Sequence, residues 1–309
     1  MPVIELTGFK AGVPIGFMAA LGAFRHATQM TELGAVRLAW KPYAGQWCAV
    51  LETAEDIDAD VFVTMLLNRV RTMTDRKEFS WAEAVKNVSR GEYSGAAAAA
   101  IADISVENHD LADWFSSFGS DLVMKGDDNK IESTPFDMTV ARQKFLADAQ
   151  WLTDNLALPD KKAGDRPNIE SFREAIFGPW KYGDNQHSLG WDPSTVLMGA
   201  FTPKAPTAMS KAGVRGAVWL AMECLPFFAC IYDGRLATIA FERKKKKQFF
   251  QWPVWTEPLS IGAVRILLEQ TPRMNGEEWR GRGIAAVYSS EVYKPNKYLS
   301  SFQPAVLKD

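Results

Sequence analysis

The most concentrated charge in the chain is the run Arg243-Lys-Lys-Lys-Lys247, which is followed by Gln-Phe-Phe-Gln-Trp-Pro-Val-Trp255. Lysine and arginine side chains attract phosphate groups, and aromatic rings offer faces on which unpaired bases stack. This segment therefore predicts contact with a nucleic acid. The residues predicted to make it are Arg243, Lys244, Lys245, Lys246, Lys247 and Trp252. The alternative interpretation is a solvated hairpin tip whose aromatic residues belong to the core.

A second group of cations follows further along the chain and consists of Arg280, Arg282, Lys294 and Lys297. Glycines on both sides of Arg282 give the backbone the freedom to approach a phosphate closely. We therefore expect these four residues to contact DNA as well. The alternative is that they are ordinary surface charges.

The segment Gly178-Pro-Trp-Lys-Tyr-Gly-Asp-Asn-Gln-His-Ser-Leu-Gly-Trp-Asp-Pro193 is a long polar loop that contains two tryptophans. Loops of this kind often carry function. Side-chain amides pair bidentately with adenine, so Asn185 and Gln186 are predicted to read base edges. Lys181 and Tyr182 are predicted to contact the nucleic-acid backbone. The alternative is a structural loop anchored by its two tryptophans.

Motifs for catalysis are missing from the sequence. It contains no G-x-x-x-x-G-K-[ST] phosphate loop, no G-x-S-x-G elbow and no H-E-x-x-H zinc motif. Its three histidines, His26, His109 and His187, are far apart and form no cluster with cysteine. We therefore predict a protein that is not an enzyme and needs no metal or cofactor. The alternative is a metal-dependent nuclease that uses the closely spaced Asp184, His187 and Asp192.

The composition is that of a globular protein, with 309 residues of which 47% are hydrophobic and 23% charged. These values exclude a wholly disordered chain and a disulfide-dense miniprotein. The net charge of -2 is unevenly distributed. Residues 204–309 hold 16 Lys and Arg against 9 Asp and Glu, a net of +7, and the first 203 residues hold 19 against 28, a net of -9. This asymmetry points to nucleic acid or an assembly partner.

The cysteines and the apolar segments predict a cytoplasmic protein. Cys48, Cys224 and Cys230 form no C-x-x-C motif, and an odd number of cysteines is typical of a reducing compartment. The N-terminus lacks the basic and apolar regions of a signal peptide. The longest apolar stretch, Gly213–Tyr232, contains Arg215 and Glu223, so we expect a core helix and no membrane span.

The hydrophobic patterns predict an α+β fold in which helices are mixed with short antiparallel strands and the C-terminal part is richer in strands. The predicted elements include helices over Ile15–Met30 and Trp81–Val88, a hairpin of Val36–Trp40 and Gln46–Glu52 with its turn at Lys41–Gly45, and strands over Arg235–Phe241, Gln248–Trp255 and Gly283–Tyr293. We expect an N-terminal α+β part over residues 1–158 and a C-terminal α+β part over residues 168–309. The charged, Gly- and Pro-containing stretch Pro159–Pro167 is the predicted linker. One continuous domain is the alternative.

The order of several short segments resembles that of a known family. These segments are Gly12-Val-Pro-Ile-Gly-Phe-Met-Ala-Ala-Leu-Gly22, the hairpin containing Trp40 and Trp47, Thr134-Pro-Phe with Gln143-Lys-Phe-Leu146, Phe177-Gly-Pro-Trp-Lys-Tyr182, Ser188-Leu-Gly-Trp-Asp-Pro193, and Gly213-Val-Arg-Gly-Ala-Val-Trp-Leu-Ala221 leading to Leu225-Pro-Phe-Phe228. Together they span most of the chain. They resemble the compact large subunits, or related accessory subunits, of type I-G (formerly I-U) CRISPR-Cas effector complexes, also called Cascade.

The resemblance implies a non-catalytic role in RNA-guided antiviral defence. A subunit of this kind lies in a crRNA-bound complex, recognises the protospacer-adjacent motif on double-stranded target DNA, helps to open the duplex, and helps to recruit a separate helicase-nuclease. Base pairing then reads the sequence, while the protein reads a short motif and binds the backbone. The implied partners are the crRNA-bound CRISPR backbone, the other Cascade subunits, the target DNA and the helicase-nuclease. The alternative is an accessory or inhibitory protein that binds the complex without reading DNA.

Overall fold

Helix α1 (Pro14–Thr28) of the computed structural model is buried at every residue except Thr28. The structure describes residues 1–73, 76–105, 109–125, 129–140, 142–158, 166–195, 213–296 and 298–308. Pro14 occupies the first helical position, where its missing N–H leaves no hydrogen bond unmade. Because α1 is apolar on all sides from Pro14 to Phe24, other elements must cover this part completely.

Helices and antiparallel strands alternate irregularly along the chain, which confirms the predicted α+β class and the strand-rich C-terminal part. Further helices among the described residues are α2 (Ala59–Thr72), α3 (Lys77–Ser80), α4 (Arg90–Ala102), α5 (Asp110–Phe118), α6 (Phe145–Ala157), α7 (Asn168–Phe177), α8 (Arg215–Glu223), α9 (Ile261–Gln270) and α10 (Gly276–Gly281). The strands are β1 (Val3–Lys10), β2 (Val36–Tyr43), β3 (Gln46–Thr53), β4 (Gly119–Met124), β5 (Ile131–Ser133), β6 (Cys230–Tyr232), β7 (Leu236–Thr238), β8 (Phe241–Lys244), β9 (Lys247–Trp255), β10 (Ile284–Asn296), β11 (Leu299–Phe302) and β12 (Val306–Leu307).

Two antiparallel sheets make up most of the strand structure. The first has the order β1-β3-β2, and the second has the order β8-β9-β10-β11, with β12 also paired to β10. The short hairpins β4-β5 and β6-β7 lie outside both sheets. A bridge between Leu38 of β2 and Leu259, just after β9, connects the first sheet to the C-terminal part of the chain.

An aromatic cluster around Phe17 of α1 joins the two sheets. The Phe17 ring stacks on Trp40 of β2 at 5.5 Å and on Trp252 of β9 at 5.6 Å, and it meets Trp255 edge-on at 6.4 Å. All four side chains are buried, and aromatic pairs in these orientations add to the free energy gained by burial. The core therefore contains residues from both predicted parts of the chain.

The opposite side of α1 packs closely on α8. A Cβ atom added at Gly22 would lie 1.8 Å from the carbonyl oxygen of Leu220, a distance shorter than any non-bonded contact. Only glycine allows the two helix backbones to approach this closely. The small residues Ala19, Ala20 and Ala23 of α1 are also completely buried.

A buried ionic cluster lies at the end of this helix pair. The Glu223 carboxylate accepts hydrogen bonds from Arg25 Nη1 at 3.0 Å, Arg76 Nη2 at 2.8 Å and His26 Nε2 at 3.0 Å. His26 Nδ1 accepts from Arg69 Nε at 2.8 Å, so the imidazole is neutral with its proton on Nε2. Burial would raise the pKa of Glu223, but the charges around it, that of Arg76 foremost, hold the pKa well below its usual range.

Two predictions of local structure are wrong. The segment Trp81–Val88, expected to be a helix, is irregular, because Asn87 has a left-handed φ of 71° and the Glu83 carbonyl accepts the first amides of α6. The stretch Arg235–Phe241, expected to be one strand, contains β7 and the start of β8, which lie in different sheets. Ala240, with a φ of 66°, redirects the chain between them.

The three cysteines are buried and unpaired, as expected. None of the helices in the described parts of the chain combines the length and the apolar character needed to cross a membrane. The predicted linker falls almost entirely on residues 159–165, which are outside the described residues. The division into two parts therefore stays a prediction.

Replacing Gly22 by alanine tests the close helix contact. The added methyl group must push α1 away from α8, and overpacking of this kind costs about 1–3 kcal/mol. We expect Gly22→Ala to lower the free energy of unfolding by at least that amount in urea denaturation. The control is Gly95→Ala in α4, where nothing lies within 4 Å of the added Cβ and a gain of about 0.5–1 kcal/mol is expected. Equal stability of the two variants would contradict the close approach of α1 to α8 at Gly22.

The buried imidazole predicts a dependence of stability on pH. Burial lowers the pKa of His26 to about 4, from an ordinary value near 6.5. Between pH 6.5 and about pH 4 the unfolded chain therefore binds more protons than the folded one. The free energy of unfolding falls as the pH drops through this range. We expect a loss of about 1–3 kcal/mol, measured by urea denaturation at several pH values. His26→Gln should remove most of this loss, whereas His109→Gln, at an exposed position, should retain it.

Candidate functional site

The tip of the β8-β9 hairpin carries the four consecutive lysines. Lys244 and Lys247 are paired in register, and Lys245 and Lys246 form the turn between them, with a φ of 56° at Lys245. All four side chains are exposed. Lys245 and Lys246 form no ion pair with any described residue. The turn thus presents two cations to solvent on a short, hydrogen-bonded hairpin.

The cations on either side of the turn contact acidic residues. Lys247 Nζ lies 2.8 Å from Glu291 of β10, Lys244 Nζ lies 3.1 Å from Glu242, and Arg243 Nη2 lies 3.6 Å from Glu132 of β5. These pairs are exposed to solvent and contribute little to stability. The ion pairs orient the three cationic side chains. In each pair a phosphate could replace the carboxylate.

Three further lysines, distant in sequence, lie on the same side of the molecule. Lys294 follows Glu291 by three residues on β10, at the end of the sheet where the lysine turn lies. Lys86 is close enough to Lys294 and to Lys125 for both charges to act on it. Burial lowers the pKa of Lys86 and the two lysines lower it further, while Asp137, 2.9 Å away, opposes them.

We call this collection of cations the basic surface, and define it as Lys86, Lys125, Arg243, Lys244, Lys245, Lys246, Lys247 and Lys294. Glu132 of β5 connects the hairpin to the β4-β5 pair, in which Met124, the neighbour of Lys125, is paired with Ile131. Four described acids contact the basic surface, namely Asp137, Glu132, Glu242 and Glu291. The cations exceed these acids by four, so the surface attracts polyanions.

The prediction that Trp252 provides a stacking face is corrected by the structure. Trp252 is completely buried, lies between Phe17 and Tyr288, and donates its indole N–H to the Ala11 carbonyl at 2.7 Å. The cause is that both faces of β9 are covered from Phe250 onwards. Phe249 is the aromatic residue of this segment that stays near the cations, with Lys244 Nζ 6.0 Å from its ring.

The second predicted group of cations is divided by the fold. Arg280 and Arg282 are exposed beside α10, before β10 begins, whereas Lys294 lies near the other end of this strand. Thirteen residues of extended strand span about 40 Å. The two arginines therefore do not belong to the basic surface, and Arg282 instead donates a hydrogen bond to Gln270. Lys297 lies outside the described residues.

The polar loop that follows α7 is held by its own hydrogen bonds. Glu174 accepts from the backbone N–H groups of Lys181 and Tyr182. The Lys181 and Asn185 side chains are exposed, and the Tyr182 ring is half-buried. Gln186 is buried and donates to the His187 carbonyl at 3.0 Å, so it cannot read base edges as predicted.

The alternative nuclease site is not assembled in the structure. The Asp184 carboxylate is buried and accepts from Ser171 Oγ at 2.7 Å and from the Arg215 N–H at 2.7 Å. Asp192 is also buried and accepts from the Ser194 N–H at 2.9 Å. Within the described ranges, no three His, Cys, Asp or Glu side chains come together as a metal site. The two aspartates fix the loop.

Sequence reasoning missed Lys86 and Lys125. Neither lies in a run of charge, and their proximity to the hairpin depends on contacts between β5, β8 and β10 that no local pattern reveals. The uneven charge of the chain does not point to them either, because both lysines lie in the acidic first 203 residues.

Comparison with known proteins gives no relative from which a role could be transferred. No family model matches the chain, no curated protein matches it, and no solved structure matches its fold. The resemblance to type I-G CRISPR-Cas subunits rests on the short sequence segments alone.

Proposed function

We propose that this protein is a non-catalytic subunit of a type I CRISPR-Cas effector complex and that it binds the backbone of target DNA through the basic surface. The observation that carries the proposal is the convergence of the lysine turn with Lys86, Lys125 and Lys294 on one side of the fold. The order of segments that resembles type I-G subunits supports the assignment to such a complex.

The chemistry of the basic surface suits a nucleic-acid backbone better than a small anion. Six of its eight cations lie on the β8-β9 hairpin and on β10, and Lys86 and Lys125 lie on other segments, so the charge is distributed over several elements, as contact with successive phosphates requires. Phosphate contacts of this kind hold a protein in position without reading sequence. Within an RNA-guided complex, base pairing supplies the sequence specificity.

The finer roles follow from the resemblance and are part of the proposal. The subunit would recognise the protospacer-adjacent motif, aid duplex opening and help to recruit the helicase-nuclease in the cytoplasm. The acidic side chains of the first 203 residues would face the basic subunits of the crRNA-bound backbone, because like charge repels them from DNA, while Lys86 and Lys125 of the same part belong to the basic surface. The alternative is an accessory protein that binds the complex without touching DNA. The following experiments distinguish it from a DNA-binding subunit.

Neutralising the lysine turn tests backbone binding. We expect the double variant Lys245→Gln/Lys246→Gln to weaken binding of the assembled complex to duplexes of any sequence by a similar factor. Each lost phosphate contact should make the dependence of log affinity on log salt shallower by about 0.9. Fluorescence anisotropy over a salt series measures both effects.

The matched control is Arg280→Gln/Arg282→Gln, which removes the same charge at the other end of β10 and should leave affinity and salt slope close to wild type. Wild-type binding by the lysine-turn variant, or equal losses in both variants, would contradict the assignment of the basic surface.

Asn185 carries the remaining prediction about sequence reading, because its side chain is exposed while that of Gln186 is buried. We expect Asn185→Ala to relax preference at one base position by about 1–3 kcal/mol without changing the salt slope. A screen of randomised motifs flanking the target, read by binding of the assembled complex, measures this. The control is Lys181→Gln, at an exposed residue predicted to contact the backbone, and it should leave the motif preference unchanged. An unchanged motif preference in Asn185→Ala would exclude this residue as a reader.

A further inference from the structure

An open cleft of about 460 Å³ lies on the first sheet, between the end of the β2-β3 hairpin and the loop after α7. Its lining includes Lys10, Tyr43, Gln46, Cys48, Trp180 and Tyr182. Its volume is within the range of small-molecule sites, which are largely apolar with a few placed polar groups. The proposed DNA-binding role does not use this cleft.

On its sheet side the cleft is lined by Lys10 and Tyr43, and Lys41 lies beside it in the row of Cys48. Lys10 of β1 and Lys41 of β2 are both paired in register with Cys48 of β3, so the three residues form one row across the sheet. Paired residues point to the same face. Neither lysine forms an ion pair with any described residue, and both are exposed.

The next row along the sheet is formed by Tyr43 and Gln46, which are also paired in register. They lie two residues further along each strand, so they share the face of the lysine row. Tyr43 lines the cleft and is 53% exposed, so about half of its surface is accessible to a ligand. The Gln46 amide, also exposed, provides a donor and an acceptor beside this ring.

The opposite wall of the cleft is formed by the loop after α7 and is held in place by a hydrogen bond and close packing. Trp180 donates its indole N–H to the Ala175 carbonyl at 3.0 Å, and its ring meets that of Tyr182 edge-on at 6.2 Å. The wall is fixed to the sheet at Gly8, where an added Cβ would lie 2.3 Å from the Ala175 oxygen. The distance between the two sides is therefore set by backbone contact.

We propose that this cleft binds one nucleotide, with its base among the Tyr43, Trp180 and Tyr182 rings and its phosphate at Lys10 and Lys41. Aromatic rings stack on bases of any sequence, and an unpaired lysine beside them complements a phosphate. The Gln46 amide can form hydrogen bonds with a base edge. The charge of the two lysines favours this anionic ligand over an apolar peptide segment. The nucleotide is either free or an unpaired member of a strand.

The test is calorimetric titration of the full-length protein with two kinds of probe. These are the free 5′-mononucleotides AMP, CMP, GMP and UMP, and a short oligothymidylate. We expect Tyr43→Ala and Lys10→Gln each to weaken binding about tenfold, the former through lost stacking. Both positions are exposed, so the fold should survive. Tyr232→Ala, at an exposed tyrosine on β6, is the control and should bind like wild type.

The outcomes separate the sources of the ligand and the two proposals. Binding of mononucleotides assigns a free nucleotide, and binding of the oligomer alone assigns an unpaired nucleotide of a strand. The lysine-turn variant should keep wild-type binding of a mononucleotide, because its cations belong to the other sheet. Failure of both probes to bind at millimolar concentration, or binding that Tyr43→Ala and Lys10→Gln leave unchanged, overturns the proposal. The proposal is also overturned if a tyrosine- or tryptophan-containing peptide binds and neither nucleotide probe does.

Discussion

The close packing of α1 on its neighbours is the constraint on which the rest of the structure depends. On one side, Gly22 brings the helix backbone against the Leu220 carbonyl, and on another, Phe17 lies among Trp40, Trp252 and Trp255. The helix thus holds the N-terminal sheet, α8 and the central strand β9 in one arrangement. The Glu223 cluster at the end of the helix pair requires the same arrangement, because its charges are stable in the interior only while they are paired.

This packing also explains why the lysine turn has a fixed position. Trp252 is anchored to the Ala11 carbonyl, and β9 runs from that anchor back to Lys247 at the base of the turn. The repulsion among neighbouring lysines is reduced by exposure to water and by the acids on β5, β8 and β10. A rigid core therefore supports a surface whose electrostatic free energy falls when a polyanion binds.

The sequence predicted those features that depend on local pattern. The apolar run of α1, the hairpin around Lys41–Gly45 and the strand Gln248–Trp255 follow from periodicity and turn chemistry, and the structure confirms them. Trp252 was assigned wrongly because the alternation of a strand does not show that both of its faces are covered. The separation of Arg282 from Lys294 follows from the strand between them, predicted over Gly283–Tyr293 and found as β10, and grouping the two cations overlooked its length.

The features that sequence reasoning missed depend on contacts between distant segments. Lys86 and Lys125 join Lys294 only through tertiary contacts between segments that are far apart in the sequence. The aromatic cleft requires the register of β1, β3 and β2 as well as the close approach of α7 at Gly8. In both cases no local pattern groups these residues, and their chemistry arises from their juxtaposition.

The most direct measurement of the central claim is site-specific photo-crosslinking in the assembled, target-bound complex. A photoreactive residue would replace Lys246 in one preparation and Arg282 in another, so that the two ends of β10 are compared in the same complex. The account predicts crosslinks from position 246 to target DNA and none from position 282. Crosslinks from position 246 to protein subunits alone would contradict it.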